Sequence, residues 1–199
     1  VKEREHYENT SKYNADLIVA VERLYPHEKW PLNNAWTFYH IKNNQTANWL
    51  DNVKPIADVE YVEDFWSVAN HIFSPSKMVG HGELAFFKKG VRPIWEDDVN
   101  KNGGGWLYQI PLHAHTFNKP GPDVDDMWRE TLLALIGDSF CGRNSSGSVM
   151  SEQELTEQGE THLCENISGV YVTRRGKQDK LTLWTTNYKN ERLTRLIGY

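Results

Sequence analysis

The chain has 199 residues, of which 39% are hydrophobic, 25% charged and 12% aromatic, and its net charge is -5. That length fits one domain with a sizeable core and is short for two domains plus a linker. A mean hydropathy of -0.66 with no apolar run approaching about eighteen residues excludes a membrane-spanning helix, and the acidic balance excludes a protein that coats nucleic acid through a broad excess of Lys and Arg.

The acidity is local. Residues 141–168 hold one arginine and five glutamates, so the rest of the chain is close to neutral at -1. Cys141 and Cys164 cannot make a disulfide framework and have no neighbour at zinc-ligand spacing, so no metal is expected and the expected setting is reducing, cytoplasmic or nuclear. Eight tryptophans are the unusual feature, because Leu, Ile and Val fill a core as well.

Residues 1–29 form a charged extension in which Tyr13, Leu17, Ile18, Val21 and Leu24 fall at helical intervals, predicting a short amphipathic helix. Residues 30–199 then read as one domain. Alternating aromatic stretches predict strands at Ala35–Lys42, from Glu83, from Gly105, from Gly169 and from Lys180. Two segments change period. The segment from Val62 places Val62, Phe65, Trp66, Ala69 and Ile72 on one helical stripe, and that from Asp123 places Met127, Thr131, Leu132, Leu135 and Ile136 on another. Asp123 suits an N-cap, Asp125 and Asp126 suit the positive helix end, and Gly137 suits the stop. The pattern predicts an α+β fold, an antiparallel sheet with helices on one face. Residues 141–168, free of Phe, Tyr and Trp, read as a polar surface insertion.

Trp49 and Trp95 sit in polar loops, off any apolar stripe. An indole there exposes a large apolar face unless the protein or a flat ligand covers it. Glu96 follows Trp95 directly. A carboxylate beside an indole suits an aromatic, cationic ligand with N-H donors on its edge. Guanine methylated at N7 has those features: two indoles can sandwich it while one carboxylate holds N1-H and N2-H. A third element is the basic turn Thr173–Lys180, where Arg174, Arg175, Lys177 and Lys180 face one acid, Asp179; the cluster reads either as a site for phosphates or as solubilising charge at a strand edge. By spacing alone Trp184 belongs to the core.

The motifs PLNNAW from Pro31, VEDFW from Val62, PIWEDDVNKNGGGW from Pro93, WRETLLALIGDSF from Trp128 and KLTLWTT from Lys180 closely resemble, in order, the translation initiation factor 4E family, which binds the 7-methylguanosine cap of messenger RNA. The resemblance covers about residues 30–140 and 169–186. It implies a curved antiparallel sheet with three helices on its convex back. It also implies that Trp49 and Trp95 sandwich the base, Glu96 pairs with its edge, Trp184 contacts the N7 methyl, and Arg175, Lys177 and Lys180 hold the phosphates. A second site is implied on the back, where a helix from a 4G-type scaffold or a 4E-binding repressor docks on Pro31, Val62, Trp66, Glu130, Leu133 and Gly137. Periodicity alone places Trp66 in the core; the resemblance exposes it. The chain departs from the family pattern at Arg129, where the back usually has an apolar residue, at Gly105, which replaces a basic residue near the slot, and at Tyr39, which replaces a tryptophan. A specialised or repressive cap-binding isoform is a second reading of the same motifs. The end, NYKNERLTRLIGY, reads either as a short third helix or as a compressed helix and strand.

Other classes account for less. GDSF from Gly137 resembles the nucleophile block of GDS-type esterases with Ser139 as nucleophile, but the D-x-x-H that would supply acid and base is absent. His113 and His115 share a strand face without a further ligand at metal spacing, and GGG from Gly103 lacks the Lys and Ser or Thr of a P-loop. A carbohydrate module would use exposed tryptophans too. It would bind independently of salt, whereas about three phosphate contacts imply a slope near -2 in log affinity against log salt. The chain is therefore expected to act without a catalytic residue, a cofactor or a metal.

Overall fold

The structure is a computed structural model that describes residues 29–42, 49–78, 82–111, 123–140, 151, 153, 163–175 and 178–198. The chain divides into two units, Val1–Trp30 and Pro31–Tyr199, and the sheet and its helices belong to the second. The expected N-terminal helix, His113, His115, Cys141 and Lys177 lie outside the described residues.

Six strands form one antiparallel sheet. They are β1 (Pro31–Lys42), β2 (Val53–Tyr61), β3 (Gly82–Lys88), β4 (Gly104–Pro111), β5 (Ile167–Thr173) and β6 (Gln178–Thr185), in the order β2-β1-β3-β5-β6-β4. A single helical turn, α1 (Trp49–Asn52), closes the β1–β2 connection. The longer helices are α2 (Val62–Ala69), α3 (Val124–Ile136) and α4 (Glu191–Gly198). The α+β expectation holds: one curved sheet with three helices against it. The C-terminal segment is a helix, with Leu193 and Ile197 as its buried face.

Strand alternation sorts the side chains onto two faces. Trp36 and Phe38 of β1, Leu84 and Phe86 of β3, Val170 and Val172 of β5, and Leu181 and Leu183 of β6 face the helices. They pack there against Phe65 of α2, Leu132 and Leu135 of α3, and Leu193 and Ile197 of α4. Phe86 is central, with its ring centroid 4.9 Å from Trp36 and 4.4 Å from Phe38. Such pairs add about 0.5 to 1.5 kcal/mol each beyond the burial of their area. The intervening residues, Tyr39, Ile41, Ala85, Phe87 and Trp184, form a second cluster on the opposite, helix-free face.

Three elements differ from expectation. β2 was not predicted, because its sequence VKPIADVEY is charged and carries Pro55. It is an edge strand paired only with β1, its one fully buried residue is Val59, and Pro55 pairs beside a register shift at Phe38/Tyr39. An edge tolerates what a central strand does not. In α3 the buried residues are Val124, Trp128, Leu132 and Leu135, so the core stripe runs through Trp128 and leaves Met127, Thr131 and Ile136 half-buried at its margin. The Asp123 cap is as predicted, its carboxylate accepting from the Asp125 amide at 3.2 Å, and Gly137 follows the last turn. Finally, residues 163–168 are not surface insertion: Leu163–Asn166 is a 3-10 turn, and Leu163, Cys164, Ile167 and Ser168 are buried. The lack of aromatic residues concealed a short aliphatic anchor.

Candidate functional site

The helix-free face is built around Trp184. The Phe87 ring meets it edge-on, 5.4 Å between centroids, and Tyr171 lies alongside at 6.4 Å. Gly169, between Phe87 and Trp184 in register, makes this packing possible, since a Cβ there would lie 2.4 Å from the Phe87 ring. Trp184 is only 6% exposed because Trp95 covers it, indole on indole, 3.6 Å between centroids and 13° from parallel. The other face of Trp95 is open, and the residue is 48% exposed. Glu96, beside it, is exposed to solvent.

The loop that carries Trp95 and Glu96 joins β3 to β4 and is tied from inside by Asp97 and Asn100. Asn100 is fully buried, and its Nδ2 donates to the Arg92 carbonyl at 2.9 Å and the Ile94 carbonyl at 3.0 Å. The Asp97 carboxylate accepts from the amides of Arg92 and Val99, each at 3.2 Å, and pairs with Arg92 Nε at 3.5 Å. These bonds fix the backbone on both sides of Trp95. Gly103 ends the loop where a Cβ would fall 1.9 Å from the Thr185 carbonyl oxygen, so no other residue fits there without moving β6. In the sequence, DDVNKNGGG reads as a plain polar turn; only its folded-back hydrogen bonds reveal the frame.

Facing this loop is α1, which begins at Trp49; the Trp49 side chain lies outside the described residues. The two connections line a cavity of about 450 Å3 with Tyr39, Leu50, Val53, Arg92 and Ile94 in its wall. Leu50 follows Trp49 and Ile94 precedes Trp95, so the two predicted indoles flank the cavity in sequence. Its volume is in the range of small-molecule sites. Tyr39 closes the floor and its hydroxyl donates to the Val91 carbonyl at 3.2 Å, so the residue standing in place of a tryptophan is anchored. A larger cavity, about 570 Å3, is lined by Ile56, His71, Phe73 and Met78, and no predicted site residue borders it.

The basic turn between β5 and β6 separates into two roles. Arg174 is structural: its guanidinium pairs with Asp179 at 3.4 Å and donates to the Pro75 and Ser76 carbonyls. Arg175 points outward from a buried acid, Nη2 to Glu83 Oε1 at 3.1 Å. The other oxygen of Glu83 accepts a hydrogen bond from the Tyr171 hydroxyl, and burial with that bond raises the Tyr171 pKa well above the usual phenol value. Lys180 is half-buried on β6, opposite Gln109 and Thr173. Gly105, opposite Trp184 in register, presents no side chain; a Cβ there would meet Trp95 Cη2 at 3.8 Å.

Against the helices, Trp66 is 40% exposed, so α2 does not bury it, and only Phe65 of that helix is fully buried. Periodicity misplaced Trp66 because the helix is two turns long and its packed face narrow. A groove of about 240 Å3 between α2 and α3 is walled by Trp66, Asn70, Pro75, Trp128 and Arg129. Arg129 leans on Asp126 at 2.7 Å. Glu130 and Gly137 are exposed and Leu133 half-buried. Pro31 pairs with Tyr61, the residue before Val62, and the Asn33 amide donates to Asp138 at 3.3 Å, just past Gly137. These contacts bring Pro31, Val62 and Gly137 to one corner.

Ser139, the esterase nucleophile of the alternative reading, donates its hydroxyl to the Ala134 carbonyl at 3.3 Å, which serves the helix end. Among the described residues no group of three or more His, Cys, Asp or Glu could hold a metal ion, and no helix is long and apolar enough to cross a membrane. Burial, with Asp138 nearby, pushes the Cys164 thiol up to about 12.

A family model described as eukaryotic initiation factor 4E matches residues 31–199. Eukaryotic translation initiation factor 4E1 of Drosophila melanogaster is 34% identical over 184 residues, which is 92% of this chain and 60% of that protein. The factor 4E of Homo sapiens is 34% identical over 170 residues, 85% of this chain and 67% of that one. Among solved structures, Ascaris suum eIF4E-3 in complex with an m2,2,7G cap superposes with a TM-score of 0.67 at 30% identity, covering 86% of this chain and 81% of the other. The C. elegans eIF4E-3 complex with the 4E-binding protein Mextli and a cap analog gives 0.68 at 29%, covering 86% and 82%. With a family model spanning the whole sheet and its helices, and relatives above 30% identity along most of its length, the chain belongs to the eukaryotic initiation factor 4E family.

Proposed function

We infer that this chain is a noncatalytic recognition factor that binds the 7-methylguanosine cap of messenger RNA and, through the groove between α2 and α3, a 4G-type scaffold or a 4E-binding protein in translation initiation. The carrying observation is the half-exposed Trp95 on a rigid loop, with Glu96 beside it and Trp184 beneath. Solved relatives of similar fold are complexes with cap analogs and 4E-binding proteins. Trp49 and Trp95 sandwich the base, Glu96 takes N1-H and N2-H, Trp184 meets the N7 methyl, and Arg175, Lys177 and Lys180 take the phosphates. Stacking supplies about 1 to 3 kcal/mol per aromatic contact. The positive charge added by the methyl contributes about 2 kcal/mol more against a desolvated indole.

Trp95 has one face on Trp184 and one face free. A base stacked on Trp95 with its methyl against Trp184 requires the two indoles to part, so ligand and Trp95 compete for the surface of Trp184. Retention on immobilised 7-methyl-GTP tests the assignment: the chain is held, free 7-methyl-GTP elutes it and GTP does not. Trp95→Ala and Glu96→Ala each abolish retention without unfolding the chain. Two retained mutants would contradict it.

A further inference from the structure

Arg175 is backed by a buried acid. Glu83 is 4% exposed. It pairs in register with Thr173, and its neighbour on the same face, Ala85, pairs with Tyr171. Glu83 and Tyr171 are therefore diagonal neighbours on the helix-free face, and Arg175 lies two residues beyond Thr173. One carboxylate oxygen takes the Tyr171 hydroxyl and the other takes a single N-H of Arg175, whose side chain remains 46% exposed. A desolvated carboxylate holds a guanidinium more strongly than a surface acid does. A phosphate arriving at Arg175 must therefore share the cation with Glu83.

We propose that Glu83 and Tyr171 form a specificity-determining pair that sets how much of Arg175 is available to the phosphate chain of the ligand. Glu83 restrains phosphate binding by competing for the guanidinium. Tyr171 limits that competition, because its hydroxyl occupies the second oxygen and leaves Glu83 a one-point hold. Guanidinium and carboxylate otherwise favour a two-point fork. The remaining N-H groups of Arg175 stay free to bind phosphate oxygens. The pair thus tunes the ratio between recognition of the base and recognition of the triphosphate. Neither residue stood out in the sequence, since Glu83 begins a strand and Tyr171 continues one.

The proposal rests on the cap-binding reading, and its test separates the two. Affinities for 7-methyl-GTP and for the nucleoside 7-methylguanosine are measured by calorimetry on the whole chain, and their ratio is compared across variants. Glu83→Gln keeps the shape and removes the charge, so the ratio rises, on the order of fivefold. Tyr171→Phe keeps the ring against Trp184 and frees the second oxygen to grip Arg175, so the ratio falls, on the order of threefold; both figures correspond to about one charge-assisted hydrogen bond or less. In an Arg175→Ala background neither change moves the ratio. A role confined to stability would alter melting temperature and leave the ratio alone. Equal ratios, or shifts of the same sign in the two variants, overturn the proposal while the cap reading stands. Should Glu83→Gln fail to fold, Tyr171→Phe alone decides, and an unchanged or raised ratio sinks it. A wild-type chain that binds neither compound removes both readings.

Discussion

Trp95 and Trp184 lie face to face, 3.6 Å apart and 13° from parallel, with Trp95 half-exposed and Trp184 buried beneath it. Stacked indoles at this distance couple their transitions, so the chain should show an exciton couplet in its circular dichroism. Trp95→Ala removes the couplet. If Trp95 parts from Trp184 to stack on the base, saturating 7-methyl-GTP removes it too. A couplet unchanged by bound ligand would mean that the base stacks only on the outer face of Trp95, and Trp184 would then have no direct contact with the methyl.

Asn100 holds the Trp95 loop by two hydrogen bonds to backbone carbonyls. Asn100→Ala removes both hydrogen bonds and leaves the Arg92 carbonyl with the Ile94 amide and the Ile94 carbonyl with the Asp97 amide, at a cost of about 1 to 3 kcal/mol for the two lost bonds together. The expected result is a melting temperature lower by several degrees and a loss of 7-methyl-GTP affinity of roughly tenfold, because Trp95 and Glu96 are no longer held in place. Thermal melts and ligand titration of the same variant separate the two effects. An affinity equal to wild type would show that the loop does not need this frame.

The sheet and two of its helices were legible because their side chains obey simple periods: β1, β3, β5 and β6 alternate large apolar residues between faces, and α3 carries both an Asp123 cap and a Gly137 stop. Edge geometry was not legible. β2 is built from Lys54, Pro55 and Glu60 and owes its existence to β1 beside it. For the site, Trp95 and Glu96 announced themselves as an indole and an acid in a polar loop. Asp97, Asn100 and Glu83 did not, because a polar residue's value depends on which carbonyl or guanidinium the fold brings to it. Arg174 and Arg175 look equivalent in sequence, yet one braces the Pro75–Lys77 turn and the other faces solvent.

Cys164 is buried and its thiol is held protonated, its pKa pushed up to about 12 mainly by burial. At pH 8 the native chain should resist alkylation at Cys164, and denaturant should expose it; mass spectrometry of the Cys164 peptide reads both states. The sign for stability follows. The unfolded thiol ionises near pH 9 while the folded one does not, so the folded state binds more protons between about 9 and 12. Stability falls through that window by up to about 1.4 kcal/mol per pH unit relative to Cys164→Ala. Equal pH profiles for the two chains would contradict the buried, neutral thiol.

Trp66 projects from a two-turn helix at 40% exposure, so Trp66→Ala should cost the free chain less than about 1 kcal/mol. As the anchor of a helix-in-groove contact it should cost at least about 2 kcal/mol of partner binding, or roughly thirtyfold. Retention on 7-methyl-GTP stays as in wild type. Calorimetry with a 4G-type or 4E-binding peptide, alongside a melt, reads these quantities. A variant that unfolds would place Trp66 in the core after all.

The central claim is recognition of a methylated, positively charged purine, and the most direct measurement is a side-by-side calorimetric titration with 7-methyl-GTP and GTP under identical salt. Because the two differ by one methyl and its charge, a cation-π contribution of about 2 kcal/mol predicts at least a thirtyfold preference for the methylated nucleotide. Equal affinities would contradict the account at its root.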